Sequence, residues 1–103
     1  MHLARAALAL SIALIKPCAL ADSAQALFAS KPCAACHSLD SPRVGPSLKQ
    51  IAAKYAGTDK ALEQVAANIQ NGSVNRWGAI PMPPNAVSQE QALQLAEWIL
   101  RLK

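Results

Sequence analysis

Cys33-Ala34-Ala35-Cys36-His37 constrains this chain more than any other stretch. Two thiols three positions apart, followed at once by an imidazole, form the attachment signature of c-type haem. Each thiol can add to one vinyl group of a porphyrin, and the imidazole then lies under the iron as an axial ligand. A fold built on that adduct has to wrap around a large, flat and mostly apolar group.

Size points the same way. Residues 1–21 have the three parts of a secretory signal. A short n-region carries Arg5, residues 6–15 are apolar apart from Ser11, and Lys16-Pro17 break the run before an Ala19-Leu20-Ala21 cleavage site. The apolar run is about half of the ~20 residues a bilayer span needs, so no retained anchor is expected. Cleavage after Ala21 takes the chain from 103 residues to 82, spanning residues 22–103. A single domain of that length is marginal for an unaided core. Only Phe28, Tyr55, Trp77 and Trp98 are aromatic. A covalently held macrocycle would supply the missing apolar volume.

The leader also alters the charge and cysteine arithmetic. Arg5 and Lys16 leave with it, so the formal charge falls from +4 to +2. No basic run with interleaved aromatics is present, and nucleic-acid binding is not expected. Cys18 is lost as well, and Lys16-Pro17 before it make a poor lipoprotein box. Only Cys33 and Cys36 remain.

The pattern is all-α. No period-two alternation appears, whereas helical spacing recurs four times. Ala24, Leu27 and Phe28 mark a first helix, capped by Asp22 or Ser23 and ending near Lys31-Pro32. Pro46 can begin a second, with Leu48, Ile51, Ala52 and Tyr55 on its buried face and Gly57 as its stop. Thr58 or Asp59 caps a third, whose stripe is Leu62, Val65, Ala66 and Ile69 and which ends at Asn71-Gly72. Ser88 and Gln91 form a capping box for the last, with Ala92, Leu95, Ala96 and Ile99 facing inward. Between the third and fourth lie residues 73–87, a long unstructured stretch of the kind usually kept for function. Met82 sits in it between Pro81 and Pro83, on a backbone that two prolines stiffen.

A Cys-x-x-Cys pair alone leaves other chemistries open. A thiol–disulfide redox pair would need a βαβ setting, and no strands are predicted. A zinc site would need further ligands, and His37 is the only histidine left after cleavage. With haem as the reading, Met82 is the remaining soft neutral donor for the sixth position. A thioether there favours Fe(II) and raises the reduction potential. Two strong axial ligands leave no open site, which favours electron transfer over catalysis. The rival is a c-type haem sensor or enzyme with Met82 away from the iron.

The chain resembles the small bacterial class I cytochromes c of the c-551 type, also called cytochrome c-8. The resemblance rests on Leu27-Phe28, the Cys33-to-His37 motif, Val44-Gly45-Pro46, the Ala52-to-Gly57 segment and Asn71-Gly72-Ser73. It continues through Trp77-Gly78, the Ile80-to-Ser88 segment and Ala96-Glu97-Trp98. It implies about four short helices around one covalent haem c, a cytochrome c domain over residues 22–103. It implies thioethers at Cys33 and Cys36 and axial ligation by His37 and Met82. The Pro46 carbonyl would accept from His37 Nδ1–H. Asn85 would hydrogen-bond near the Met82 sulfur, and the Trp77 indole would reach a propionate.

The role so implied is that of a soluble, monomeric, periplasmic one-electron carrier and not an enzyme. A quinol-oxidising complex or other donor would reduce it, and a haem-cd-type nitrite reductase, a terminal oxidase or a cytochrome c peroxidase would oxidise it. Docking would be transient, at an apolar haem edge ringed by charges such as Lys31, Arg43, Lys49 and Arg76. Asn68 stands where relatives often carry arginine or histidine near a propionate. An amide stabilises an ionised propionate less than a cation does. The pH dependence of the potential is therefore expected at higher pH than in an arginine-bearing relative. Potentiometric titration checks this, and a potential independent of pH around neutrality would contradict it.

Overall fold

Helix α4 (Gln89–Leu100) is the element against which the others pack. A computed structural model describes residues 4, 6–11 and 18–103. The order before α4 is α1 (Cys18–Ser30), a short 3-10 turn (Pro32–Ala35), α2 (Leu48–Tyr55) and α3 (Ala61–Asn71). No strand occurs among the described residues, only the isolated antiparallel bridges His37–Pro42 and Ser73–Met82. The architecture is the all-α one expected. No helix of the described residues is long and apolar enough to cross a membrane. Residues 1–3, 5 and 12–17 of the predicted leader, with the Lys16-Pro17 break, lie outside the described residues.

Two helix starts follow from local chemistry. The Ser88 hydroxyl accepts from the Gln91 amide at 3.1 Å, and the Gln91 side chain accepts from the Ser88 amide at 3.0 Å. This is the capping box that the spacing predicts, and it satisfies donors a helix start leaves orphaned. The same device recurs at Ser47 and Gln50, at 3.1 and 2.8 Å. Ser47 therefore caps α2, and Pro46 stands outside the helix instead of beginning it. The hydroxyl offers the first turn an acceptor that proline lacks, and the Pro46 carbonyl is left for another partner.

The other two starts differ from expectation. Neither Thr58 nor Asp59 caps α3. Its N-cap is Lys60, in the left-handed region at φ 56° and with no side-chain cap. The turn after α2 curls through Gly57 at φ 71°, with the Thr58 amide on the Tyr55 carbonyl. The helix can then begin only at Ala61. Helix α1 begins at Cys18, ahead of the expected caps Asp22 and Ser23, and so runs through the expected cleavage site. Alanine and leucine around Ala21 propagate a helix readily, and nothing there breaks it.

The buried stripes of α2, α3 and α4 are those the spacing marks, except at Ile51, which is only partly buried, and at Leu62. Leu48, Ala52 and Tyr55 of α2, Val65, Ala66 and Ile69 of α3, and Ala92, Leu95, Ala96 and Ile99 of α4 are all buried. Leu62 is 36% exposed. It borders a groove together with Leu93 and Trp98 of α4. Phe28 of α1 meets Trp98 of α4 with ring centroids 5.8 Å apart at 55°. That tilted contact joins the two ends of the domain, and the Lys31 ammonium adds a bond to the Ala86 carbonyl at 3.1 Å.

Candidate haem site

The 3-10 turn folds the Cys-x-x-Cys-His segment onto one wall of a cleft. Pro32 begins the turn, and the amides of Cys36 and His37 both donate to the Cys33 carbonyl, at 3.1 and 2.9 Å. Cys33, Cys36 and His37 thereby line the same cleft, with both thiols free. His37 is the buried member. Its Nδ1 donates to the Pro46 carbonyl at 2.7 Å. That bond assigns the proton to Nδ1 and leaves Nε2 as the lone-pair nitrogen, which is the tautomer a metal requires.

Gly45 makes this geometry possible. A Cβ at Gly45 would lie 2.7 Å from His37 Cε1 and 3.0 Å from Nδ1. The glycine also donates its amide to the Cys36 carbonyl at 2.8 Å, which seats it flat against the ring. Sequence reasoning gave Gly45 no role of its own, although a glycine outside a helix end, directly before proline, was the available signal. Gly45→Ala is expected to lower stability by about 1–3 kcal/mol, as overpacking does. Denaturant unfolding measures that loss, and the NMR signal of the His37 Nδ1 proton should shift with the displaced ring.

Met82 lines the cleft from the long loop. Its amide and carbonyl pair with those of Ser73 at 2.9 and 3.0 Å, so the loop returns to the end of α3 at the methionine. Trp77 lines the cleft too and is 42% exposed, with the Lys54 ammonium 4.2 Å above its ring. The same ammonium donates to the Arg76 carbonyl at 2.8 Å, a clasp between α2 and the loop that sequence reasoning missed. Asn68 lines the cleft and donates to the Tyr55 hydroxyl at 3.3 Å.

Asn85 is placed differently from the implied role. Its side-chain amide donates to the carbonyls of Ile69 and Pro83, at 2.9 and 3.4 Å, and it is not among the residues lining the cleft. The final carbonyls of α3 lack helical partners, and Asn85 satisfies one of them.

The chemistry of the cleft matches a large apolar ligand with a few polar anchors. Leu48, Ile51, Val65, Ile69, Leu95 and Ile99 supply apolar walls. Val44 and Ile80 border it while remaining 55% and 65% exposed. Burial pushes the Cys33 thiol above its ordinary value, against the lowering pull of its own backbone hydrogen bond and of Lys31. Among the described residues no three His, Cys, Asp or Glu side chains form a group that could hold a metal ion. The residues present do fit haem, with two thiols, an imidazole in the required tautomer and a thioether around one apolar cleft.

Comparison with known proteins agrees with this reading. The cytochrome c family profile matches residues 21–103. Cytochrome c-551 of Stutzerimonas stutzeri is 57% identical over 96 residues, covering 93% of this chain and 92% of that protein. Cytochrome c-551 of Pseudomonas aeruginosa is 49% identical over 85 residues, covering 82% of each. Among solved structures, a deletion mutant of Nitrosomonas europaea cytochrome c552 superposes with a TM-score of 0.75 at 49% identity, covering 77% of this chain and 99% of that one. The chain belongs to the cytochrome c family. Its cofactor is one covalently bound haem c, and its role is electron transfer.

Proposed function

We propose that the mature protein is a soluble, monomeric, periplasmic one-electron carrier, cleaved after Ala21, whose iron is bound by His37 and Met82. The observation that carries the ligand assignment is the 2.7 Å bond from His37 Nδ1 to the Pro46 carbonyl, with Met82 in the same cleft. Cys33 and Cys36 would anchor the porphyrin through thioethers. Bound haem supplies a single iron that changes by one electron. The protein's part is to hold Nε2 and the thioether in place, keep water away with an apolar wall and leave one edge accessible. A neutral thioether favours the reduced state over an anionic ligand.

Partners would dock where Val44, Trp77 and Ile80 remain exposed beside the cleft. Of the charges expected around that edge, Arg43 and Arg76 are exposed. Lys49 is paired with Asp40, so it contributes less field than its charge suggests. A surface of this kind suits brief encounters steered by charge. A quinol-oxidising complex is the proposed class of donor, and a nitrite reductase, oxidase or peroxidase the proposed class of acceptor. Stopped-flow oxidation of the reduced protein by each acceptor ranks them.

Met82→Ala tests the ligand assignment. The variant is expected to keep the sharp α-band of the ferrous protein. It should lose the weak far-red sulfur-to-iron band of the ferric form. Its potential should fall on the order of 0.1 V, a fraction of the ~0.8 V that axial ligands span. An unchanged band and potential would remove Met82 from the iron and leave an open-site protein. Colourless wild-type protein from a host competent in haem attachment would overturn the whole reading.

A further inference from the structure

We propose that Gly72, which terminates α3, is the positioning residue for Met82, setting how far the thioether reaches into the cleft. The proposal rests on Met82 being the iron ligand. Gly72 has a positive φ of 77°, and a Cβ there would lie 2.5 Å from the Met82 carbonyl oxygen, 3.0 Å from the Pro84 nitrogen and 3.1 Å from the Pro83 carbonyl carbon. All three are backbone atoms, with no flexible side chain to yield. The helix end and the methionine segment thus touch main chain to main chain at Gly72. The next residue locks that contact, because Ser73 and Met82 exchange both backbone hydrogen bonds. Pro81 and Pro83 leave the segment little freedom to bend away. An added methyl group would have to push the whole Met82 segment off α3, and the side chain would move with it.

Gly57 supplies an internal control. It has nearly the same backbone conformation, φ 71°, yet a Cβ there would meet nothing within 4 Å. Gly57→Ala therefore introduces left-handed strain without the contact, and Gly72→Ala introduces both. The apparent affinity of an outside ligand rises with the fraction of molecules whose iron is free. Gly72→Ala is expected to retain the ferrous α-band but to lose most of the ferric far-red band, to have a lower potential and to bind imidazole about tenfold or more tightly than wild type, a change of about 1.4 kcal/mol. Gly57→Ala should match wild type in band, potential and imidazole affinity, although it too is less stable. If Gly72→Ala matches Gly57→Ala in these three readouts, the proposal is wrong.

Met82→Ala separates the two levels of the argument. Should that variant keep the far-red band, the ligand assignment itself fails. Should it lose the band while Gly72→Ala keeps it, only the role of Gly72 fails. The wild-type protein gives an independent measurement if Gly72→Ala does not accumulate. The Ser73 and Met82 amides are expected to resist hydrogen exchange in the ferric protein and to lose that protection together when imidazole replaces the sulfur. Unprotected amides, or protection indifferent to imidazole, would show that backbone and sulfur are uncoupled and would overturn the proposal.

Discussion

Without covalent haem the chain is expected to lose cooperative folding. The buried apolar residues described are Ala24, Leu48, Ala52, Tyr55, Val65, Ala66, Ile69, Val87, Ala92, Leu95, Ala96 and Ile99. Five of these are alanines, which contribute little apolar area each. Of the larger seven, all but Val87 also line the haem cleft. The core therefore has two halves, and one of them is the porphyrin. Removing it takes the apolar packing partner away from the cleft side of these side chains, while the conformational entropy cost of ordering the chain stays the same. The expected loss is comparable to a small domain's whole stability, about 5–15 kcal/mol. The double variant Cys33→Ala, Cys36→Ala, produced without haem, should show weak helical circular dichroism and no sigmoidal melting. A native-like spectrum with a cooperative transition would refute this, and would mean that the four helices form a sufficient core by themselves.

Leu95→Ala is expected to be the most damaging single truncation among the aliphatic core residues. Leu95 is 2% exposed, in the middle of the helix that contacts α1, α2 and α3, and it lines the cleft as well. Truncation there leaves a cavity between rigid elements, for which about 2–5 kcal/mol is the usual loss. In a domain of this size that lowers Tm by more than about 10 °C. Leu62→Ala is the informative companion. Leu62 shares the periodic signature of Leu95 but is 36% exposed, and its truncation should cost less than about 1 kcal/mol. Equal losses at the two positions, measured by thermal unfolding of the haem-loaded proteins, would contradict this account of the core.

That pair shows where periodicity stops being informative. Spacing identifies which residues share a helix face, because 3.6 residues per turn is a local property. Whether a neighbour covers the end of that face depends on the other helices. Capping follows the same division. Ser88 and Gln91 are legible because the cap is closed within four residues. Lys60 is not, because its left-handed backbone answers to the turn between α2 and α3. Pro46 is a mixed case. As a helix start it stands two positions before the first residue of α2, while its carbonyl accepts from His37 as the resemblance implies. For Asn85 the resemblance pointed toward the Met82 sulfur, while the amide is engaged by Ile69 at the end of α3.

The cofactor chemistry and the helical class are written in local stretches of the sequence. Covalent attachment needs only the short Cys33-to-His37 motif, and helices need only local spacing and caps. Tertiary structure decided the rest: the tautomer of His37, the closeness of Gly45 to its ring and the contact between Gly72 and the Met82 backbone. These are meetings of main chain with side chain or main chain across 8 to 12 positions of sequence, between 37 and 45 or 72 and 84. A glycine's missing Cβ matters only where another segment fills its place, and a linear reading holds no record of which segment that is.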